Sequence, residues 1–287
     1  MSRRRWLLTL YVAALAASTV VRLNRPPDRH QLDGKQVADI GVRLAYYDSD
    51  PRSTRPVVLL IHGSPGSSRV VRDLAEMLKH EYRVIAPDLP GFGASSHDIP
   101  DYSFRAHARY IVQLLDQLHI KNVHAAGFSM GGGVVLSLVD LAPERVCSLE
   151  MISAIGVQEH ELTGSYRVNH ALHGAQLVIL LGAKYAVPHF GILDGEGLNV
   201  EYARNFYDSD QRPLRQVLTA YRGPMLILHG EHDRNVPLTA AQEHHRLVPQ
   251  SQLAVFNSNH FTIFQKPEML AGPLKTFLGG LTNSCAG

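Results

Sequence analysis

The segment Gly127-Phe128-Ser129-Met130-Gly131 sets one serine between two glycines in a G-x-S-x-G pattern. The apolar run Val123-His124-Ala125-Ala126 precedes it and a helical pattern over 130–141 follows, so Ser129 belongs to a strand-to-helix turn. A turn that tight strains the backbone of the serine and demands small neighbours. At a helix start the positive end of the macrodipole also favours negative charge developing on the serine oxygen. This is the setting of a serine nucleophile. Other residues able to do chemistry close further apolar runs: His62-Gly63-Ser64 after 57–61, Glu231-His232-Asp233 after 225–228, and His260 after 253–256.

The elements that must carry these residues follow from periodicity. Val37-Ala38-Asp39-Ile40 and Val42–Tyr47 read as strands around Gly41. Val57–Ile61, a continuous apolar run, reads as a strand buried on both faces. Further strands are predicted at 82–86, 123–126, 148–152, 225–228 and 253–256. Helices are predicted at 69–80, 103–119, 130–141 and 239–247. Such alternation implies α/β architecture, a mostly parallel eight-stranded sheet with helices on both faces. It is interrupted at residues 155–222, which carry helical patches such as Gln176–Leu181 and no strand pattern. The expected organisation is therefore an N-terminal segment and linker over 1–29, a core over 30–154, a helical cap inserted at 155–222, and the rest of the core at 223–287.

With these motifs in this order, the chain from about residue 35 to 278 resembles a serine hydrolase of the α/β-hydrolase fold. The resemblance implies roles for particular residues. The loop His62-Gly63-Ser64-Pro65 would give the backbone N–H of Ser64 to an oxyanion hole, with the N–H of Met130 as second donor. His62 itself would be structural. Leu228-His229-Gly230-Glu231-His232-Asp233-Arg234-Asn235-Val236-Pro237 resembles the acid loop, with Asp233 as the acid and Glu231 a solvated neighbour. His260 would be the base, although Asn259 stands where the family usually has Gly; Asn also tolerates a left-handed backbone. Asp88-Leu89-Pro90-Gly91-Phe92-Gly93-Ala94-Ser95 resembles a loop in which the aspartate is a structural hydrogen-bond partner. The implied reaction is cleavage of a small-molecule acyl substrate, an ester foremost, through an acyl-enzyme on Ser129.

Other readings of the same residues are a cofactor-free perhydrolase, a carbon–carbon bond hydrolase (which usually has Asn in place of Phe128), and a non-catalytic binding protein on a hydrolase fold. Ser129 speaks against epoxide hydrolases and haloalkane dehalogenases, which need Asp there. Amidase or iminopeptidase action would require an acidic anchor such as Glu196 or Glu201. Sixteen histidines raise a metal hypothesis. However, His170 with His173, and His244 with His245, lack a carboxylate or cysteine set that fixes a site. No metal or cofactor is expected. Of the two cysteines, Cys147 is expected to be a small buried hydrophobe and Cys285 a free thiol in a polar tail.

The run Trp6–Val21 has no charge, follows Arg3-Arg4-Arg5, and precedes Arg22, Arg25 and Arg29, with a linker at Pro26-Pro27-Asp28. It reads as an uncleaved membrane anchor, or else a cleaved export signal with Ala14-Leu15-Ala16 as a cleavage site. The basic start would hold residues 3–5 in the cytoplasm and send the remainder to the outer side. The formal charge of +2 averages two unlike parts. Residues 1–29 hold six Arg and one Asp, net +5, and the remainder holds 22 basic and 25 acidic residues, net −3. A mildly acidic body with no basic block excludes a nucleic-acid surface.

Overall fold

The computed structural model describes residues 2–24, 34–193 and 198–281. The linker at Pro26–Asp28, Arg25, Arg29, Glu196 and Cys285 lie outside them. Helix α1 (Arg3–Leu23) comes first, followed by strands β1 (Gln36–Asp39), β2 (Arg43–Asp48) and β3 (Val57–Ile61). Then come α2 (Arg72–Leu78), β4 (Arg83–Pro87), α3 (Phe104–Gln117), β5 (Val123–Phe128), α4 (Gly131–Leu141) and β6 (Val146–Ile152). Between β6 and the next strand lie α5 (Tyr166–Ala186), α6 (Val200–Asp208) and α7 (Leu214–Ala220). The chain continues as β7 (Met225–Gly230), α8 (Leu238–Leu247), β8 (Gln252–Phe256), α9 (Thr262–Gln265) and α10 (Glu268–Gly279).

The eight strands form one sheet in the order β1-β2-β4-β3-β5-β6-β7-β8. β1, β2 and β4 pair antiparallel, and every pairing from β4 through β8 is parallel. Alternate residues of β3 serve opposite faces, as the period of two in a strand requires. Leu59 and Ile61 join the cluster under α3, α4, α7 and α8, whereas Val58 and Leu60 join the one under α2 and α10. Both faces of the strand are therefore dry, which is why its sequence does not alternate. Within the insertion, Leu214, Leu218 and Tyr221 pack into the first of these clusters, so α7 and its end are seated on the sheet layer.

Parallel strands joined by helices bring the C-terminal ends of β3, β5, β7 and β8 to one edge of the sheet. The loops that carry Ser64, Ser129, Asp233 and His260 all leave from that edge. One expectation is corrected. Cys147, half-buried at the start of β6, is disulfide-bonded. Cys147 belongs to neither apolar core cluster, so packing does not seal its sulfur as it would that of a core hydrophobe.

Candidate active site

Ser129 follows β5 immediately and has a left-handed backbone, φ 54°. A non-glycine residue accepts that conformation only where its surroundings over-determine it. Here its N–H donates to Ile152 O at 3.0 Å, and its own carbonyl accepts from the N–H groups of Gly132 (3.0 Å) and Ile155 (3.1 Å). Gly127 is required by the same turn, because a Cβ there would lie 2.5 Å from the Gly131 carbonyl oxygen. Strand, turn and helix thus close on one another so tightly that Ser129 is held out at the tip.

Two other loops reach it. His260 Nε2 lies 3.0 Å from Ser129 Oγ, and His260 Nδ1 lies 2.7 Å from Asp233 Oδ2. The second oxygen of Asp233 accepts from the N–H groups of Asn235 and Val236, both at 2.9 Å. Burial alone would raise the Asp233 carboxyl. The hydrogen bond and charge of His260, aided by the two N–H donors, outweigh it and hold the group below the usual aspartate value. His229 lies 3.7 Å from the same carboxylate. Burial lowers its basicity, and it is spent on the Val236 carbonyl at 3.0 Å. Asp233 therefore directs its charge at His260. The imidazole of His260 is packed between Phe128 (5.0 Å between centroids) and Phe261 (5.6 Å), which fixes its plane.

The loop after β3 forms the opposite wall. A Cβ on Gly63 would lie 2.9 Å from the Cβ of Ser129, so only glycine lets this loop come so close. His62 is wholly buried and structural. Its Nδ1–H donates to Gly63 O at 2.7 Å and its Nε2 accepts from the Leu89 N–H at 3.0 Å. Burial keeps it neutral, which that tautomer requires. Neither Ser64 N–H nor Met130 N–H donates to another backbone group among the described residues. Asp88 braces the loop from behind: Oδ1 accepts from Ser68 N–H, Oδ2 from Ala94 N–H (both 2.8 Å), and Lys35 Nζ stands 2.6 Å from Oδ2. Burial raises the Asp88 carboxyl, but the ammonium of Lys35 and the amide donors bring it below its usual value. Lys35 had no motif to announce it.

Ser64, Ser129 and His260 line one cleft together with Leu162, His173, Tyr202, Phe206 and Gln211 from the insertion. His173 is held by Glu161 at 3.1 Å and stacks on Phe206 at 5.3 Å. Of these insertion residues only His173 stood out in the sequence, and there as a metal-ligand candidate beside His170; their grouping depends on how α5 and α6 pack. The other candidates fall elsewhere. Glu201 faces His97 at 3.7 Å, and Glu231 lies exposed beside His232 at 3.3 Å. His170 stacks on Tyr207 at 4.4 Å, and His245 bonds Ser251 at 2.8 Å.

A family model described as alpha/beta hydrolase fold matches residues 56–177. The dihydrolipoyllysine-residue acetyltransferase component of the acetoin cleaving system of Pseudomonas putida is 30% identical over 271 residues, covering 88% of this chain and 71% of that protein. A 2-hydroxymuconate semialdehyde hydrolase, also from Pseudomonas putida, is 26% identical over 277 residues, covering 89% and 97%. Among solved structures, a thermophilic esterase from Thermogutta terrifontis superposes with a TM-score of 0.70 at 22% identity, covering 87% of this chain and 99% of that one. With the sheet order, the strand-to-helix turn and these relatives in agreement, the chain belongs to the alpha/beta hydrolase fold family and is an α/β-hydrolase enzyme.

Proposed function

We propose that this enzyme is a serine esterase that cleaves a carboxylic ester of a small-molecule acyl substrate, with Ser129 as nucleophile, His260 as base and Asp233 as orienting acid. The observation that carries the reading is the unbroken line from Ser129 Oγ through both nitrogens of His260 to a buried carboxylate. His260 Nε2 takes the hydroxyl proton as Oγ attacks the carbonyl carbon, and Asp233 stabilises the imidazolium. The carbonyl oxygen, now negative, accepts from the N–H groups of Ser64 and Met130. The tetrahedral adduct collapses, the bond to the alcohol oxygen breaks, and His260 returns the proton to that alcohol. Water, deprotonated by His260, then releases the acid and restores Ser129.

Residues 155–222 act in this reading as a cap between the core halves 30–154 and 223–287, supplying the walls of the cleft. Residues 1–29 anchor the chain in a membrane or export it, with the catalytic body on the outer side. Helix α1 is long and apolar enough to cross a bilayer, and a disulfide at Cys147 suits an oxidising compartment. The test is labelling with a fluorophosphonate alongside hydrolysis of p-nitrophenyl acetate. Parent enzyme should label and turn over, and Ser129→Ala should do neither. Equal labelling of the two proteins would remove Ser129 from its role.

A further inference from the structure

Soluble helices turn a polar face to water. Helix α5 does the opposite. Its exposed positions from 168 to 186 are Val168, Ala171, Leu172, Ala175, Val178, Ile179, Gly182, Tyr185 and Ala186, one stripe at three- and four-residue spacing without a charged side chain. Val178 and Ile179 are each 70% exposed, and Ile192 beyond the helix is 81% exposed. Of the 23 large hydrophobic residues exposed among those described, nine lie on α1 and ten on the insertion. Two more, Phe261 and Phe264, lie one and four residues after His260. The exposed apolar side chains are thus concentrated on α1 and the insertion, which meet at residues 184–190, a pattern that marks an interaction site. Leu162 is at once part of that surface and part of the cleft wall, so the patch runs to the mouth of the active site.

What covers this surface is indicated by α1. Ser18 Oγ accepts from the N–H groups of His189 (3.0 Å) and Phe190 (2.8 Å), Tyr11 hydroxyl donates to the Ala186 carbonyl, and Arg22 donates to the Lys184 carbonyl at 2.9 Å. Arg22 also lies over the Tyr185 ring. A helix holding these contacts from Tyr11 to Arg22 meets a bilayer lying along its surface, with residues 184–190 beside it, and would have to release them in order to span. Charge points the same way. The two helices carry Arg3, Arg4, Arg5, Arg22, Arg167 and Lys184 and no acidic residue, whereas the body of the chain is net negative. A basic, acid-free apolar face is suited to anionic lipid.

We propose that α1 and the outer face of α5 together dock on an anionic bilayer, so that the cleft opens at the lipid surface and takes esters that partition into the membrane. This rests on the serine-esterase reading for the chemistry and is independent of it for the docking. The probe of docking is a full-length Trp6→Phe/Ile179→Trp variant, whose one tryptophan then reports on α5. With vesicles of phosphatidylglycerol and phosphatidylcholine its emission should shift to the blue and be quenched by brominated lipid. The probe of substrate class is Val178→Asp/Ile179→Asp, two residues outside the cleft. It should lose about tenfold or more in rate on p-nitrophenyl palmitate held in those vesicles, the effect of two carboxylates at an apolar interface. Its rate on dissolved p-nitrophenyl acetate should match the parent.

Absence of quenching, or an equal loss on both esters, would overturn the proposal. So would light scattering that shows a parent dimer made monomeric by Val178→Asp/Ile179→Asp, since the face would then be covered by a second copy. Quenching of the Ile179→Trp probe together with a parent that hydrolyses neither ester would refute the esterase chemistry and leave the docking intact.

Discussion

The substitution Asp233→Asn separates tautomer control from packing. Asp233 Oδ1 sits where two N–H groups, those of Asn235 and Val236, require an acceptor at 2.9 Å. An asparagine at this position must therefore turn its carbonyl oxygen toward them, which leaves its NH2 group facing His260 Nδ1 at the 2.7 Å site. Two donors cannot face each other there, so the imidazole gives up its Nδ1 proton and carries it on Nε2. Nε2 then has no lone pair for the proton of Ser129. The fold keeps both backbone hydrogen bonds, so stability should change little, whereas kcat near neutral pH should fall about 10⁴-fold, equivalent to about 5 kcal/mol of transition-state stabilisation. The assay is steady-state hydrolysis of p-nitrophenyl acetate, with circular dichroism and thermal melting to verify the fold. A variant that melts like the parent and retains more than a tenth of its kcat would show that Asp233 does not set the tautomer.

Two further outcomes concern what supports the site. Lys35→Met leaves the buried Asp88 carboxylate without its cation, though with its two amide donors. It should cost about 3 kcal/mol at pH 7, the low end for breaking a buried pair, and lower the melting temperature by about 6–12 °C. The Asp88 carboxyl is held below its ordinary value of 3.8, so its contribution is present above that pH and lost as pH falls further. The parent and the variant should accordingly converge in acid, and a constant difference down to pH 2 would contradict the assignment. Within the sheet, on β6 and paired in register with Ala126 and Leu226, Glu150 is wholly buried beside Ser148, which also bonds His124 Nδ1 at 2.7 Å. Burial pushes the Glu150 carboxyl up from 4.5 to about 7. Between those values the unfolded chain ionises and the folded one does not, so stability declines as pH rises from 4.5 to 7, by about 3 kcal/mol. Glu150→Gln should flatten that decline in urea denaturation measured across the range, and an unchanged slope would refute it.

The strands, the principal core helices and the three loops bearing Ser129, Asp233 and His260 were legible along the chain because each depends on local pattern. An all-apolar run such as Val57–Ile61 marks a doubly covered strand, and a glycine-flanked serine between strand and helix marks the turn. The order of those elements further implied one common edge, since parallel strands joined by helices deliver their following loops to the same side. Other features depend on residues far apart in sequence and had no local pattern to reveal them. Lys35 reaches Asp88 across 53 positions, and no spacing rule joins the two. Cys147 looks like a buried hydrophobe, and nothing in its local pattern announces that it is disulfide-bonded. The aliphatic stretch 176–181 reads as ordinary packing in sequence, because periodicity gives a helix its faces and cannot say which of them will be covered. Only the way α5 lies against α6 decides that Glu161, His173 and Phe206 turn toward the cleft while Val178 and Ile179 are left bare. The amino-acid sequence by itself thus determined the hydrolase scaffold and the loops on which Ser129, Asp233 and His260 sit. The tertiary structure decided the walls of the cleft and the direction in which its mouth is greasy, because burial is a property of neighbours that the chain order does not specify.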